Sequence, residues 1–498
     1  MSEKTSCDSK RARMLAKLRA GALGLGLTHK LADGKSGRRI YLDSTASTLQ
    51  LGIVRDVVQK YLPHYANTHT SAHFSAKLST REYAWAHSMA LDFVGADARD
   101  YCCFFVGSGA TGGINRVART LARKRPERDV VIATVMEHHS NDLPHRKNFA
   151  KVVHAPLVAA ESGFGAADVA RIESALAEHS GRVNYVAVTG VSNVTGIINP
   201  VHDIAEAAHR HGAAILVDAA QMAAHVPVQM SGHKNPARDL DILCMSGHKI
   251  YAPSSPGAVV ARRELFAGVE PDEVGGGMVD DVHLDRYMVT DKFPDREEAG
   301  TPNIVGAIAL ATALYALKKI GMEYIAAEEN ELIKAAIAEL AKIKDVVIYG
   351  AADAECMRAG AVSFNIRGMH HSLTAAVLND YFNIAVRNAC FCAHPYVREM
   401  ISEDLGEQMD ENLSNEELEA LAEMQRGMVR ASFGIYNERR DAAALADAVR
   451  HIAANKEEYA SHYRQGEDGE YAHTTFRFDS RPLFSARDEA QRWLEEGG

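Results

Sequence analysis

A strand-like run, Asp241-Ile242-Leu243-Cys244-Met245, leads directly into Ser246-Gly247-His248-Lys249. A lysine at the end of a buried strand is expensive unless its charge is used or removed. In a partly desolvated site its pKa falls, and its amine can form a Schiff base with an aldehyde cofactor. A surface lysine following a strand has the same local pattern, so Lys249 alone decides little. A second apolar run, Ile215-Leu216-Val217, closes on Asp218-Ala219-Ala220-Gln221. Ligands of open α/β sheets bind at such strand ends. A carboxylate there suits the protonated pyridine nitrogen of a pyridoxal ring. An aspartate capping a helix gives the same spacing.

Three further clusters carry chemistry. Val106-Gly107-Ser108-Gly109-Ala110-Thr111-Gly112-Gly113 follows a strand and opens a helix. Glycines let backbone approach closely, and a helix N-terminus offers free N–H groups to phosphate. No Gly-Lys-Ser/Thr follows, so it is not a Walker loop, and its G-x-G-x-x-G match is weak by itself. In Met136-Glu137-His138-His139-Ser140-Asn141, a histidine at a strand end can stack on a cofactor ring and move protons. The companions of a zinc site are missing, and no metal is expected. Arg387-Asn388-Ala389-Cys390-Phe391-Cys392-Ala393-His394-Pro395 places two cysteines near Arg and His. A nucleophilic thiol in an electropositive setting fits, and so do inert packed cysteines.

These residues need a scaffold that brings strand ends together. Tyr101 to Val106, Val130 to Val135, Val183 to Thr189, Ala214 to Asp218, Ile242 to Met245 and Ala258 to Ala261 are short, almost wholly apolar runs. Such runs suit strands buried on both faces. The segments between them are helical in pattern, as where Ile114, Val117, Ala118 and Leu121 share a face. Alternation of this kind predicts a mostly parallel sheet covered by helices. Arg39 to Leu42 is expected as the first strand, after a helix and loop over residues 1–38. The large domain is expected over 39–310 and a smaller α+β domain over 311–456. One helical stretch is expected from Asn303 to Lys344, and a polar extension with scattered aromatics fills 457–498.

Composition narrows the class. The 498 residues are 47% apolar and 24% charged, as in ordinary globular proteins. Lys plus Arg is 55 against 65 for Asp plus Glu, a net charge of −10. No general nucleic-acid binder is expected from that balance. Seven scattered cysteines argue against a disulfide framework. No apolar run is long enough for a bilayer and no secretory signal is visible, so a cytoplasmic protein without membrane contact is expected.

Taken in order, nine segments form a set: Tyr41 to Ala46, Gly109 to Asn115, Glu137 to Asn141, Val191 to Gly196, Val217 to Gln221, Ser246 to Lys249, Glu298 to Asn303, Arg387 to Pro395 and Arg430 to Asn437. Together they resemble the class V aminotransferase superfamily of pyridoxal-phosphate enzymes, nearest its cysteine desulfurase and selenocysteine lyase branch. The resemblance runs from about residue 39 to about 455. It implies fold type I of these enzymes, an α/β architecture with a mostly parallel seven-stranded type of sheet and a smaller α+β C-terminal domain. It implies pyridoxal 5′-phosphate as cofactor, held by Lys249, with Asp218 facing the ring nitrogen and His138 stacked on the ring. Asn193 and Gln221 are implied around the phenolic oxygen, and Thr111, Ala110, Ser246 and His248 around the phosphate. Thr301 is implied as a phosphate ligand crossing from a second subunit, hence a homodimer with shared sites. Arg430, with His69, Asn193 and Arg387, is implied to hold the amino-acid substrate. Cys392 is implied as the sulfur acceptor. It would leave alanine and an enzyme persulfide for an acceptor protein, with Arg387 or His394 favouring its thiolate.

The chain also departs from that branch. Cys390-Phe391 stands where the branch has His-His, a C-x-C form more like the desulfurase-like domain of molybdenum-cofactor sulfurases. Ala110 and Gly112 replace more polar residues, and Thr70 stands where many desulfurases have Arg. An aminotransferase, epimerase or other lyase on a different amino acid is the alternative, since one fold hosts many reactions. A non-enzymatic scaffold is disfavoured by the joint presence of Lys249 and Asp218.

Overall fold

The computed structural model describes residues 2–70, 72–160, 163–350, 357–408, 427–467 and 469–496. Seven strands build the main sheet: β1 Tyr101–Val106, β2 Val130–Thr134, β3 Lys151–Ala155, β4 Val183–Thr189, β5 Ala214–Asp218, β6 Ile242–Ser246 and β7 Gly257–Arg262. Their spatial order is β1-β7-β6-β5-β4-β2-β3. Strands β6, β5, β4, β2 and β3 run parallel, and β7 lies antiparallel between β6 and β1. The C-terminal ends of β1, β2, β4, β5 and β6 therefore open on one edge of the sheet.

Every residue of those five strands is buried, which is why they lack polar alternation. The helix Gly109–Lys124 packs Ile114, Val117, Ala118 and Leu121 on one face, against Phe104, Val131, Ile242 and Cys244. The helices Phe74–Phe93 and Ile304–Ile320 cover the opposite face. Strand β3 escaped the sequence reading because it is an edge strand with one residue exposed and three only half-buried.

The first expected strand is placed differently. Ile40–Tyr41 does not enter the main sheet; it pairs in parallel with Ile384–Ala385 of the second core. The long helical stretch is also two helices. Gly321 adopts φ 99°, a conformation that suits glycine, and the chain bends by 81° between Ile304–Ile320 and Met322–Leu340. Within the second helix, Met322 and Ile325 belong to the main core, whereas Leu332, Ile333, Ala336 and Leu340 belong to the smaller one. The packing thus changes hands inside this helix, beyond residue 310.

The smaller core carries an antiparallel sheet of β8 Val346–Ile348, β9 Ala361–Ile366, β10 Arg387–Ala389 and β11 Met428–Ser432, in the order β8-β9-β11-β10. Helices His371–Phe382 and Arg439–Ala454 pack beside it. Part of the C-terminal extension is tied down here: Tyr463 Oη donates to Asp380 (3.0 Å), and Tyr381 Oη pairs with His473 Nε2 (3.0 Å). Among the described residues, no single helix is long and apolar enough to cross a membrane.

Candidate active site

The open edge of the main sheet holds a cavity of about 210 Å³, lined by Ala110, Thr111, His138, Asn193, Asp218, Gln221, Ser246, His248 and Lys249 among others. Each arrives from a strand end. Asp218 is the last residue of β5 and pairs in register with Thr189, the last of β4. Ser246 ends β6, and Lys249 follows on one tight turn, Gly247–Lys249. His138 follows β2, and the 107–108 turn that opens the Gly109–Lys124 helix follows β1.

Asp218 and Lys249 form the electrostatic centre. Asp218 is 4% exposed, and burial raises its carboxyl above the ordinary value. A hydrogen bond from Ala220 N–H (2.9 Å) and the charge of Lys249 pull the other way. Burial lowers Lys249 to about 8, against the pull of Asp218 and with a further push from Arg430. An ordinary lysine titrates near 10.4, so at neutral pH this site holds roughly 200 times more neutral amine.

His138 is held by its own turn. Its Nδ1 accepts from Ser140 N–H (3.0 Å), so the ring proton sits on Nε2. Burial, with Lys249 nearby, depresses its pKa to about 3, and the ring is neutral. Its chain neighbour Glu137 accepts from Thr134 Oγ1 and Asn141 Nδ2, both at 2.6 Å. Burial raises Glu137 to about 8 despite those two donors.

The corner around Gly109 shows why glycine is required. Gly109 has φ 61°, and a Cβ there would meet Ser246 Oγ at 2.8 Å. A Cβ on Gly257 would lie 2.4 Å from the Gly109 backbone. Ala110 N–H is engaged by Ser246 Oγ (2.8 Å), and Thr111 Oγ1 pairs with Ser140 Oγ (2.8 Å). Gln221 Nε2 donates to Thr45 O (2.8 Å), and the His248 carbonyl accepts from Thr48 N–H (3.1 Å), tying the cavity to the 45–48 segment.

Arg430, on β11, reaches the cavity wall from the smaller core. Its Nη1 donates to the Asn193 carbonyl (2.8 Å) and its Nη2 to Asp43 Oδ1 (3.3 Å). It is 2% exposed, and its Nε is buried without a partner. An unsatisfied buried donor costs about 1–3 kcal/mol, and an anion at this edge would remove that cost. Burial lowers Arg430 to about 10, which leaves it charged at neutral pH. Burial raises Asp43, with Arg430 and Arg387 opposing.

The cysteine turn abuts the same wall. Asn193 Nδ2 donates to Phe391 O (2.7 Å), and His139 N–H donates to Cys392 O (2.8 Å). Six non-glycine residues among those described have left-handed φ, and three lie here: Ala389 (94°), Phe391 (51°) and Cys392 (57°). Each costs about 1–2 kcal/mol, a concentration typical of functional turns. Cys392 is exposed, and Cys390 is half-buried with its thiol pushed up by burial. His394 Nδ1 meets His139 Nε2 at 2.9 Å beside the turn.

Two implied residues stand apart from the cavity within one chain. Thr301 is exposed and accepts from Asn67 Nδ2 (3.0 Å). The His69 ring packs so close to Gly277 that a Cβ there would sit 2.3 Å from it. Arg387 is exposed on β10, near enough to act on Lys249, Asp43 and His138. Sequence reasoning named no role for Asp43, Ser108, Ser140, Thr189 or Phe391. Thr189 had a legible signal, as a polar residue closing an apolar strand; the other four lie within the segments named above, where no local pattern sets their side chains apart.

The aminotransferase class-V family model matches residues 40–445. A probable cysteine desulfurase of Halalkalibacterium halodurans is 34% identical over 417 residues, covering 82% of this chain and 92% of the relative. A cysteine desulfurase of Escherichia coli O127:H6 is 33% identical over 357 residues, covering 71% and 84%. The apo structure of cysteine desulfurase from Thermococcus onnurineus NA1 aligns with a TM-score of 0.71 at 30% identity, covering 84% of this chain and 95% of that one. The cysteine desulfurase CsdA from Escherichia coli aligns with a TM-score of 0.69 at 30% identity, covering 89% and 98%.

Proposed function

The chain belongs to the aminotransferase class-V family, and from that premise we propose that it is a cysteine desulfurase working with pyridoxal 5′-phosphate. The observation that carries this reading is Lys249 and Asp218 lining one buried cavity, with Arg430 and the Cys392 turn bound to its Asn193 wall. The residues fit the cofactor. A lysine amine lowered to about 8 matches an aldehyde, and a buried carboxylate matches a protonated ring nitrogen. A glycine turn at a helix start, with Thr111, Ser246 and His248, matches a phosphate. Neutral His138 matches the ring face. Bound there, the cofactor supplies an electron sink for bonds at the substrate's α-carbon.

The chain's own groups do the rest. Arg430 offers its unpaired Nε edge to the substrate carboxylate, a task suited to a guanidinium fork. Asn193 stands between carboxylate and cofactor sites. The neutral Lys249 amine takes and returns the α-proton. Asp218 keeps a negative charge opposite the ring nitrogen. The Cys392 sulfur attacks the substrate sulfur: an S–S bond forms, the carbon–sulfur bond breaks, and a proton returns to carbon. L-cysteine and the enzyme thiol thus become L-alanine and an enzyme persulfide, which a thiol acceptor then discharges.

Two copies complete the site in this reading. Thr301 and His69 sit outside their own cavity, and the chain also exposes apolar side chains: Phe74 is 92% exposed, and Val282, Leu284 and Met288 are exposed on the Val279–Val282/Tyr287–Val289 hairpin. Surface of that kind calls for a cover, and a second chain would supply one.

Product analysis tests the reading. Loaded with cofactor and given L-cysteine, the protein is expected to release equal amounts of alanine and transferable sulfur. A keto acid or an inverted amino acid would point to an aminotransferase or epimerase instead. Arg430→Lys is expected to raise KM for cysteine by about 10–100-fold while the visible spectrum of bound cofactor stays unchanged. Steady-state kinetics checks it. Cofactor uptake by the apoenzyme should follow the neutral amine. Because burial lowers Lys249, the rate should rise tenfold per pH unit up to about 8 and then level off. An ordinary lysine would keep climbing to about 10.4. Stopped-flow absorbance across pH 6–10 separates the two.

A further inference from the structure

Phe391 sits between the two cysteines and is 5% exposed. Its ring lies over the Arg430 guanidinium, with Cζ 4.7 Å from the ring centroid. Its carbonyl is held by Asn193 Nδ2 at 2.7 Å, and the Asn193 carbonyl is held in turn by Arg430 Nη1 at 2.8 Å. Arg430, Asn193 and Phe391 therefore close a loop of three contacts. One arm carries the unpaired Arg430 Nε, one is a wall of the candidate cofactor cavity, and one is the turn that carries Cys392.

The chemistry of that loop gives it a direction. A ring face is attracted to a guanidinium by its charge; Asp43 Oδ1 already accepts from Nη2 at 3.3 Å, and a second anion at Nε weakens the attraction further. The backbone at Phe391 and Cys392 is left-handed, with φ of 51° and 57°, so the turn is held in place by its contacts and not by its own preference. Cys392 is exposed in this arrangement. We infer that Phe391 is a positioning residue that latches the Cys392 turn to Arg430, alongside the backbone anchors from Asn193 and His139, and loosens that turn when a substrate carboxylate takes the unpaired Arg430 Nε–H. The thiol then becomes mobile only when a substrate with the right charge is in place. Cysteine is thereby favoured over thiols and amines that lack a carboxylate. This rests on the roles given above to Arg430 and Cys392.

The test reads thiol release, not turnover. Cofactor-loaded protein is treated with iodoacetamide alone, with L-alanine, or with ethylamine, which lacks the carboxylate. The rate of Cys392 alkylation is followed by peptide mass. L-alanine is expected to speed alkylation of the wild type at least threefold, and ethylamine to leave it unchanged. Phe391→Leu, which keeps bulk but loses the aromatic face, should alkylate fast with or without L-alanine. Phe391→Tyr should restore the wild-type response. Unchanged visible absorbance of the bound cofactor shows that each variant is folded. A wild type indifferent to L-alanine, or a Phe391→Leu variant that responds like the wild type, overturns the latch. If the wild type also forms no persulfide from L-cysteine, the desulfurase reading falls with it; if persulfide forms normally, only the latch falls.

Discussion

Alanine in place of Lys249 is expected to remove the visible absorbance of covalently held cofactor and to lower alanine formation from cysteine by about 10⁴-fold or more. The effect is large because one amine carries two duties. It anchors the cofactor, and it is the base placed to move the α-proton. Among the described residues, no other lysine lines the cavity to replace it. The fold should survive. Lys249 ends a short turn at the cavity rim, and its removal leaves Asp218 free to take up a proton, which burial already favours. Absorbance spectra with a thermal melt check both points. A variant that keeps the wild-type spectrum would contradict the role of Lys249 outright.

The second large effect is expected at the thiol. Cys392→Ala should abolish persulfide formation and reduce sulfur release by about 10³-fold or more, with cofactor binding unchanged. Cys390 should not substitute for it. Its thiol is half-buried and pushed up by that burial, so little thiolate is present at neutral pH. Cys392 is exposed on a turn fastened by His139 N–H at its own carbonyl and by Asn193 at the preceding one. Sulfide release assayed for Cys392→Ala beside Cys390→Ala separates the two cysteines. The first should be dead and the second near wild type. The reverse pattern would move the sulfur-accepting role to Cys390.

Much of the cavity could be read in the chain because its groups are strand-terminal. Asp218 and Ser246 each close a run of buried apolar residues, and Lys249 lies one turn further on. In a parallel sheet, such ends must meet on one edge, so local pattern implies proximity. The Gly109 turn was legible for a similar reason, since only backbone without a Cβ fits against Ser246. Contacts between the two cores were not legible. Asp43 and Arg430 meet across 387 residues, and Phe391 meets Asn193 across 198. No periodicity encodes such pairs. The same limit explains Ile40–Tyr41, which looked like an ordinary strand and pairs with Ile384–Ala385. It also explains β3, whose half-exposed edge position blurred the apolar signal. Thr301 and His69 were singled out by resemblance alone, and their place outside the cavity of their own chain is a fact of tertiary structure.

The central claim is that carbon–sulfur cleavage at this cavity ends with sulfur on Cys392. Cofactor-loaded protein is mixed with one equivalent of L-cysteine, alkylated, digested, and the peptide spanning residues 390–392 is weighed. Addition of a single sulfur atom at Cys392, matched by one alanine per chain, is the predicted result. Alanine formed with no sulfur on that peptide, or no alanine at all from fully loaded protein, would contradict it.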